Sequence, residues 1–188
     1  MNFMHRRICS SDRWSADVAG RMPRYLQGVD LGEDVLEIGP GFGATTRALA
    51  PLVPRLTAVE IDEPSARRLR ADFGDRVDVV HGDGSALPFP DGRFSAVVCF
   101  TMLHHVPSPA LQDALFAEAH RVLRPGGVFR GVDSLPNLRF RLLHLGDTMV
   151  PVDPGTLPDR LRRAGFAAPQ ATVHGGVQLR FLAGRAAG

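Results

Sequence analysis

Short apolar runs alternate along this chain with stretches whose apolar residues recur at helical spacing. That alternation predicts a parallel sheet covered by helices on both faces. The strand candidates are Val35–Ile38, Leu56–Ile61, Val77–Val80, Phe94–Phe100 and Val128–Val132. Phe94–Phe100 is almost continuously apolar, which suits a strand buried on both faces. Between the strands, a helix is expected from Ala44 to Ala50, stopped by Pro51 and Pro54. Another opens at Glu63-Pro64-Ser65, and a third at Ser108-Pro109, where Ser serves as N-cap and Pro occupies the first helical position. Leu111, Leu115, Ala119 and Val122 keep helical period until Pro125-Gly126-Gly127 ends it. Thr156-Leu157-Pro158-Asp159 resembles a capping box with Asp in place of Glu, and Gly165 closes the helix it opens. Two last strands, Ala171–His174 and Gln178–Leu182, flank Gly175-Gly176, a hairpin signal. The pattern predicts a Rossmann-like doubly wound α/β sheet of seven strands with an antiparallel C-terminal hairpin. Two segments stand outside it: residues 1–30, read as an N-terminal helical cap, and Leu135–Asp153, too long for an ordinary connection and read as a substrate-side lid.

Composition narrows the class. The 188 residues are 44% apolar and 22% charged, the balance of one ordinary globular domain. Net charge is +2, divided as 0 over residues 1–34, −4 over 35–120 and +6 over 121–188. That total is too small to imply nucleic acid, although the C-terminal third could favour an anionic ligand. All 22 basic residues are Arg, which fits a GC-rich bacterial genome. Cys9 and Cys99 lack metal-ligand spacing, so neither a disulfide scaffold nor a Cys-based zinc site is expected, and no metal is assigned. No apolar run reaches the roughly 18 residues a membrane span needs, and Cys9–Ser15 is too polar for a signal-peptide core; a cytoplasmic protein is expected.

The chemistry should lie beyond the carboxyl ends of the strands, where strand order reverses. Gly39-Pro40-Gly41-Phe42-Gly43 falls there, with glycines that let the backbone approach a ligand and a following helix that offers N–H groups. By itself this is equally well a tight strand-to-helix turn. Glu60 ends the second strand, where a carboxylate can accept from both hydroxyls of a ribose. Asp62 and Glu63 read better as charges flanking the next helix.

Taken together, Val35-Leu36-Glu37-Ile38-Gly39-Pro40-Gly41-Phe42-Gly43, Val59-Glu60-Ile61-Asp62, Gly82-Asp83-Gly84-Ser85-Ala86-Leu87-Pro88-Phe89, Met102-Leu103-His104-His105-Val106 and Leu123-Arg124-Pro125-Gly126-Gly127 resemble the ordered motifs of class I S-adenosylmethionine-dependent methyltransferases. The branch most resembled is the small-molecule type that includes quinone C-methyltransferases. The resemblance implies S-adenosylmethionine as cofactor and assigns roles by position. Gly39, Gly41 and Gly43 would contact its methionine moiety, with Glu37 holding the amino group through water. Glu60 would bind the ribose hydroxyls and Ile61 would pack on adenine. Asp83 would accept from the exocyclic amine, with backbone at Gly84 and Ser85 reading the ring edge, while Phe100 and Thr101 would offer carbonyls to the ammonium. One departure is Ser95, where the family often carries Asp, at the end of the strand away from the cofactor.

The acceptor implied is a small, apolar or aromatic molecule. The stretch after strand four, Phe100-Thr101-Met102-Leu103, lacks the Asn/Asp-Pro-Pro-aromatic motif of DNA amino-methyltransferases. Cys99 follows Val98, not Pro, so a cytosine C5 enzyme is disfavoured, and nucleic acid is not expected. Should the acceptor need a general base, His104, His105, Asp133 and His144 are the candidates. His104 and His105 suit a structural role as well, and Trp14 and Tyr25 read as packing residues. Two alternatives remain: an NAD(P)-dependent oxidoreductase, because Gly39, Gly41 and Ala44 fit G-x-G-x-x-A, and a non-catalytic partner subunit that keeps the fold.

Overall fold

A computed structural model describes residues 7–188, apart from the side chains of Arg139 and Leu143. Its elements run α1 (Asp12–Tyr25), β1 (Asp34–Ile38), α2 (Ala44–Leu49), β2 (Arg55–Glu60), α3 (Glu63–Phe73), β3 (Asp78–His81), β4 (Phe94–Phe100), α4 (Pro109–Val122), β5 (Leu123–Ser134), α5 (Leu138–Leu143), α6 (Leu157–Arg163), β6 (Ala167–His174) and β7 (Gln178–Gly184). The sheet order is β3-β2-β1-β4-β5-β7-β6, parallel through the first five strands and antiparallel for the last two. This is the seven-stranded Rossmann-like sheet that the alternation of runs and helices predicts. The chain winds outward from β1 to β3, returns to β4 beside β1, and so places its topological switch between β1 and β4.

Strand β4 shows why the core has two halves. Val97 and Cys99 enter a cluster with Leu36, Phe129 and α4's Leu115, Phe116 and Ala119. Ala96, Val98 and Phe100 point the other way, into a cluster with Val35, Ala58, Val18 of α1, Leu49 of α2 and Leu69 of α3. The period of two puts alternate residues on opposite faces, and both faces are covered. Phe94 breaks that parity by joining Val97's cluster, because the register with β5 shifts between Phe94 and Ala96.

That shift corrects one expectation. Pro125-Gly126-Gly127 ends α4 but does not separate it from the next strand; β5 runs through the segment as a bulge. Gly126 takes a positive φ of 77° and donates to Arg185 O at 3.0 Å, while Gly127 O accepts from Arg185 N at 2.8 Å. A second correction concerns Thr156. It is already in the right-handed helical region and makes no side-chain cap, so the capping box does not form. Asp153 shapes the turn before the helix, its Oδ1 accepting from Gly155 N at 2.9 Å and its carbonyl from Leu157 N at 3.1 Å. The β6–β7 hairpin does close on Gly175-Gly176, both at positive φ, as a type I′ turn requires.

Ser95, buried near the start of β4, donates from Oγ to Leu31 O at 2.7 Å and accepts from Asp34 N at 3.0 Å. It ties the loop before β1 to the neighbouring strand. Ser95→Ala is expected to lower stability by about 1–3 kcal/mol, with both partners left buried. Urea unfolding measures that loss, while cofactor affinity should not move because Ser95 sits at the opposite end of β4 from the switch.

Candidate functional site

A cavity of about 440 Å³ opens at the carboxyl ends of the first four strands, within the range of small-ligand sites. Ile38 to Phe42, Val59 to Ile61, Gly82 to Ser85 and Phe100 to Met102 form its floor. Cys9, Trp14 and Val18 close one side, and His105, Val106 and Pro107, with Leu111 and Leu115 of α4, close another.

The glycine loop is shaped by its contacts. Gly43 has φ of 78° and caps α2, and a Cβ there would stand 2.7 Å from Leu69 Cδ2, so only glycine fits between the loop and α3. Gly41 also has positive φ, at 56°, but a Cβ there would meet nothing within 4 Å; its requirement is conformational, and the space beside it belongs to the cavity. Glu60, only 6% exposed, grips this loop, accepting from Gly41 N through Oε2 and from Asp62 N through Oε1, each at 2.9 Å. Each carboxylate oxygen keeps a second lone pair, so the group can still accept ligand hydroxyls.

Beside it, Ile61 is 65% exposed, a large apolar side chain at the cavity rim. Asp83 accepts from Ser85 N and Ser85 Oγ through Oδ1 alone, both at 2.8 Å, which holds the Gly82–Ser85 loop in an Asx turn. A Cβ on Gly84 would meet Ile38 Cγ2 at 2.7 Å, so this loop sits directly against β1. Thr101 has φ of 53°, a strained conformation for a non-glycine residue, at the point where β4 leaves the sheet. Its N–H donates to Val132 O at 2.7 Å, holding it there.

Glu37 lies one layer behind the lining. It is 1% exposed and accepts from the hydroxyls of Thr45 and of Thr46, the latter at 2.6 Å. Burial pushes its carboxyl up to about 7, against the two threonine hydrogen bonds, with a small further rise from the charge on Glu60. The two threonines are functional candidates that sequence reasoning misses, although their place eight and nine residues after Glu37, on the first turn of α2, is a readable signal.

The four base candidates converge. Asp133 lies inside β5, not past it, opposite Leu179 of β7, and is 1% exposed. Its Oδ1 accepts from His104 Nδ1 at 2.5 Å and its Oδ2 from His104 N at 3.0 Å. His104 is buried; His105 is half-buried and lines the cavity. His144 caps α5, its Nδ1 2.7 Å from Phe140 O, and its ring centre lies 5.0 Å from that of His104 and 5.3 Å from that of His105. Burial lowers its pKa, so the ring is neutral near pH 7. Phe140 stacks edge-on to His104 at 4.9 Å. Gln112 pins the assembly by donating to Leu103 O at 3.0 Å and Val150 O at 2.8 Å, and Arg160 in turn holds Gln112 Oε1 at 2.9 Å. Neither Gln112 nor Arg160 carries any signal in the sequence, because they act from separate helices.

Of the segment Leu135–Asp153, only Thr148 reaches the lining among the described residues; Leu138, Leu142 and Leu145 are exposed. The N-terminal segment contributes more, through Cys9, Trp14 and Val18. Trp14 therefore belongs to the wall, whereas Tyr25 packs on Phe100 with ring centres 5.8 Å apart. Burial pushes the Cys9 thiol up to about 11, so it presents no thiolate at neutral pH.

Comparison with known proteins bears on the family and the fold. A family model described as a methyltransferase domain matches residues 36–130. A protein of Mycolicibacterium smegmatis described as a probable S-adenosylmethionine-dependent methyltransferase is 39% identical over 106 residues, which is 56% of this chain and 39% of that protein. A sterol 24-C-methyltransferase of Gibberella zeae is 31% identical over 160 residues, covering 74% of this chain and 40% of the relative. The chain thus spans about two fifths of the length of these two relatives. Proteins named as ribosomal RNA small subunit methyltransferases also match over shorter segments. Among solved structures, a chain of the complex between the Haloferax volcanii Trm112 methyltransferase activator and a methyltransferase superposes with a TM-score of 0.75 over 99% of both chains, at 16% identity.

Proposed function

Since the chain belongs to the methyltransferase domain family, whose cofactor is S-adenosylmethionine, we propose that it transfers a methyl group from that cofactor to a small apolar or aromatic acceptor. The residues present fit the cofactor: a glycine loop beside open space, a buried carboxylate with spare lone pairs at Glu60, an exposed apolar platform at Ile61 and a strained strand end at Thr101. In this reading Gly39 and Gly41 hold the methionine part while Gly43 turns the loop into α2, Glu60 holds the ribose, and Ile61, Asp83, Gly84 and Ser85 the adenine. The carbonyls of Phe100 and Thr101 take the ammonium, and Glu37 acts only indirectly, by fixing Thr45 and Thr46. The cofactor supplies an electrophilic methyl on a sulfonium, so the protein's task is positioning and exclusion of water. His105, which lines the wall with the buried His104–Asp133 pair behind it, faces an acceptor that must lose a proton.

One observation carries the choice of acceptor. All 22 basic residues are arginines, and none of them lines the cavity among the described residues. A nucleic-acid acceptor carries a phosphate backbone that calls for cations at the site, whereas Trp14, Val18, Met102, Val106 and Leu111 suit an apolar or aromatic molecule. The test is methyl transfer from labelled cofactor to three fractions of a cell extract: organic-extractable small molecules, RNA and protein. Label in the organic fraction is expected. Label in RNA or protein alone overturns the acceptor class, and no label anywhere, with S-adenosylhomocysteine still bound, overturns catalysis in favour of a partner subunit. Binding of NAD in place of S-adenosylhomocysteine overturns the cofactor assignment. No helix among the described residues is long and apolar enough to cross a membrane, and a cytoplasmic location is part of this proposal.

A further inference from the structure

The histidine cluster has a feature that general-base chemistry does not require. One imidazole nitrogen from each of His104, His105 and His144 lies within 4.8 Å of the others. A base needs one such ring, oriented by one carboxylate. Here three rings gather, two of them buried behind the wall that His105 lines.

The two buried rings are also each held through Nδ1. His104 Nδ1 lies 2.5 Å from Asp133 Oδ1, the geometry of an Nδ1–H held by a carboxylate oxygen. A backbone carbonyl only accepts, so His144 donates from Nδ1 to Phe140 O at 2.7 Å. Both hydrogen bonds occupy Nδ1, so Nε2 is the nitrogen each ring would offer to an ion. An Nδ1–H bonded to a carboxylate or a backbone carbonyl is the usual outer-shell arrangement of a metal-ligating histidine, where it sets ring orientation and raises basicity. The supports are themselves buried and cross-linked. Asp133 also accepts from Ser134 N at 2.9 Å, and Val150 N donates to His104 O at 2.7 Å, locking the segment that follows His144 to the one that carries His104 and His105.

We propose that His104, His105 and His144 form a three-histidine site for a divalent transition-metal ion of the zinc class, held in shape by Asp133 and the Phe140 carbonyl. Three neutral imidazoles suit zinc, cobalt, nickel or iron, whereas magnesium and calcium want oxygen ligands. An ion bound about 2.0–2.1 Å from each nitrogen in a tetrahedron keeps the nitrogens roughly 3.4 Å apart. Small side-chain rotations, chiefly of the half-buried His105, close the remaining gap. Three protein ligands leave one position for an outside ligand, and His105 brings the site to the cavity wall. The ligand class that suits this position is an anionic oxygen such as a phenolate or enolate. That last step rests on reading the cavity as the place where the acceptor binds; the metal site does not. Sequence spacing conceals it, because His144 follows His105 after the whole of α4 and β5 and joins only through the fold.

The test uses the full chain without a polyhistidine tag, stripped with a chelator and titrated with Zn²⁺ in competition with a chromophoric chelator, and separately with Co²⁺ followed by its visible absorption. Neither cofactor nor acceptor is present, so failure here and failure of the methyl-transfer reading are separable. One equivalent should bind with Kd below about 1 µM, and Co²⁺ should show the intense bands of a tetrahedral nitrogen site. His105→Ala and His144→Ala should each weaken Zn²⁺ binding at least tenfold, and Asp133→Asn should weaken it about 10- to 100-fold through its effect on His104. His174→Ala, on exposed β6, should bind like wild type. Folding of each variant is checked by circular dichroism. Binding weaker than that Kd, an octahedral Co²⁺ spectrum, or wild-type affinity in both His105→Ala and His144→Ala overturns the site. The wild-type spectrum decides the matter even where a variant fails to fold.

Discussion

Raising the pH from 4.5 to about 7 should lower stability by about 3 kcal/mol through Glu37 alone. In the unfolded chain its carboxyl ionises near 4.5; in the folded protein burial holds the proton until about 7. Between those values the folded state binds more protons than the unfolded state, so stability falls as pH rises. Below 4.5 both states are protonated and the penalty is absent; above about 7 the full cost of a buried carboxylate is present. The hydroxyls of Thr45 and Thr46 reduce that cost without cancelling it, because desolvation is the largest cause of the shift. Glu37→Gln isolates the effect. The amide accepts from one threonine and donates to the other, so packing and hydrogen bonding survive while the charge is lost. Urea-unfolding midpoints of the two proteins across this range should coincide near the acid end and diverge toward neutrality, with Glu37→Gln the more stable. A gap that does not change with pH would refute an ionisable Glu37 buried as described.

The glycine-loop end of the cavity was legible because its signals are local. Val35–Gly43 carries a strand, a turn and a helix start in nine residues, and Glu60 and Asp83 follow at strand ends that the apolar runs already mark. The hairpin was legible for the same reason, since Gly175-Gly176 is both the turn and the residues the turn demands. The opposite wall was not. Trp14 reaches the wall because α1 packs beside α2, a contact no periodicity announces. Leu135–Asp153 reads as a substrate-side lid, yet of its described residues only Thr148 lines the cavity, and Phe140 packs on His104 and His144. The Pro125-Gly126-Gly127 bulge was hidden because its partner, Arg185, lies near the end of the described chain. Apart from the Thr156 cap, a local miss at the turn Asp153 shapes, these are contacts between segments far apart in sequence.

Removing the Glu60 carboxylate should weaken cofactor binding about a hundredfold. Two contributions add. A charge-assisted bond to a ribose hydroxyl is worth about 1.5–3 kcal/mol, and loss of the Gly41 and Asp62 acceptor loosens the loop that must be in place before the methionine part binds. Glu60→Gln should fall between wild type and Glu60→Ala. Its carbonyl oxygen satisfies one loop amide, but its amide nitrogen faces the other as donor against donor. The two contributions separate in a double-mutant cycle using S-adenosylhomocysteine and an analogue that lacks the ribose hydroxyls, both measured by calorimetry. If Glu60 binds the ribose, the variants lose more affinity for the parent compound than for the analogue, and the difference is the hydroxyl term. If Glu60 serves only to hold Gly41 and Asp62, both compounds lose equally and the ribose assignment falls. The fold should tolerate either change, because Gly41 borders the cavity and Asp62 is exposed, so water can replace the carboxylate at both amides. A collapse in thermal stability would show the carboxylate to be a structural tie of the loop and not a ligand contact.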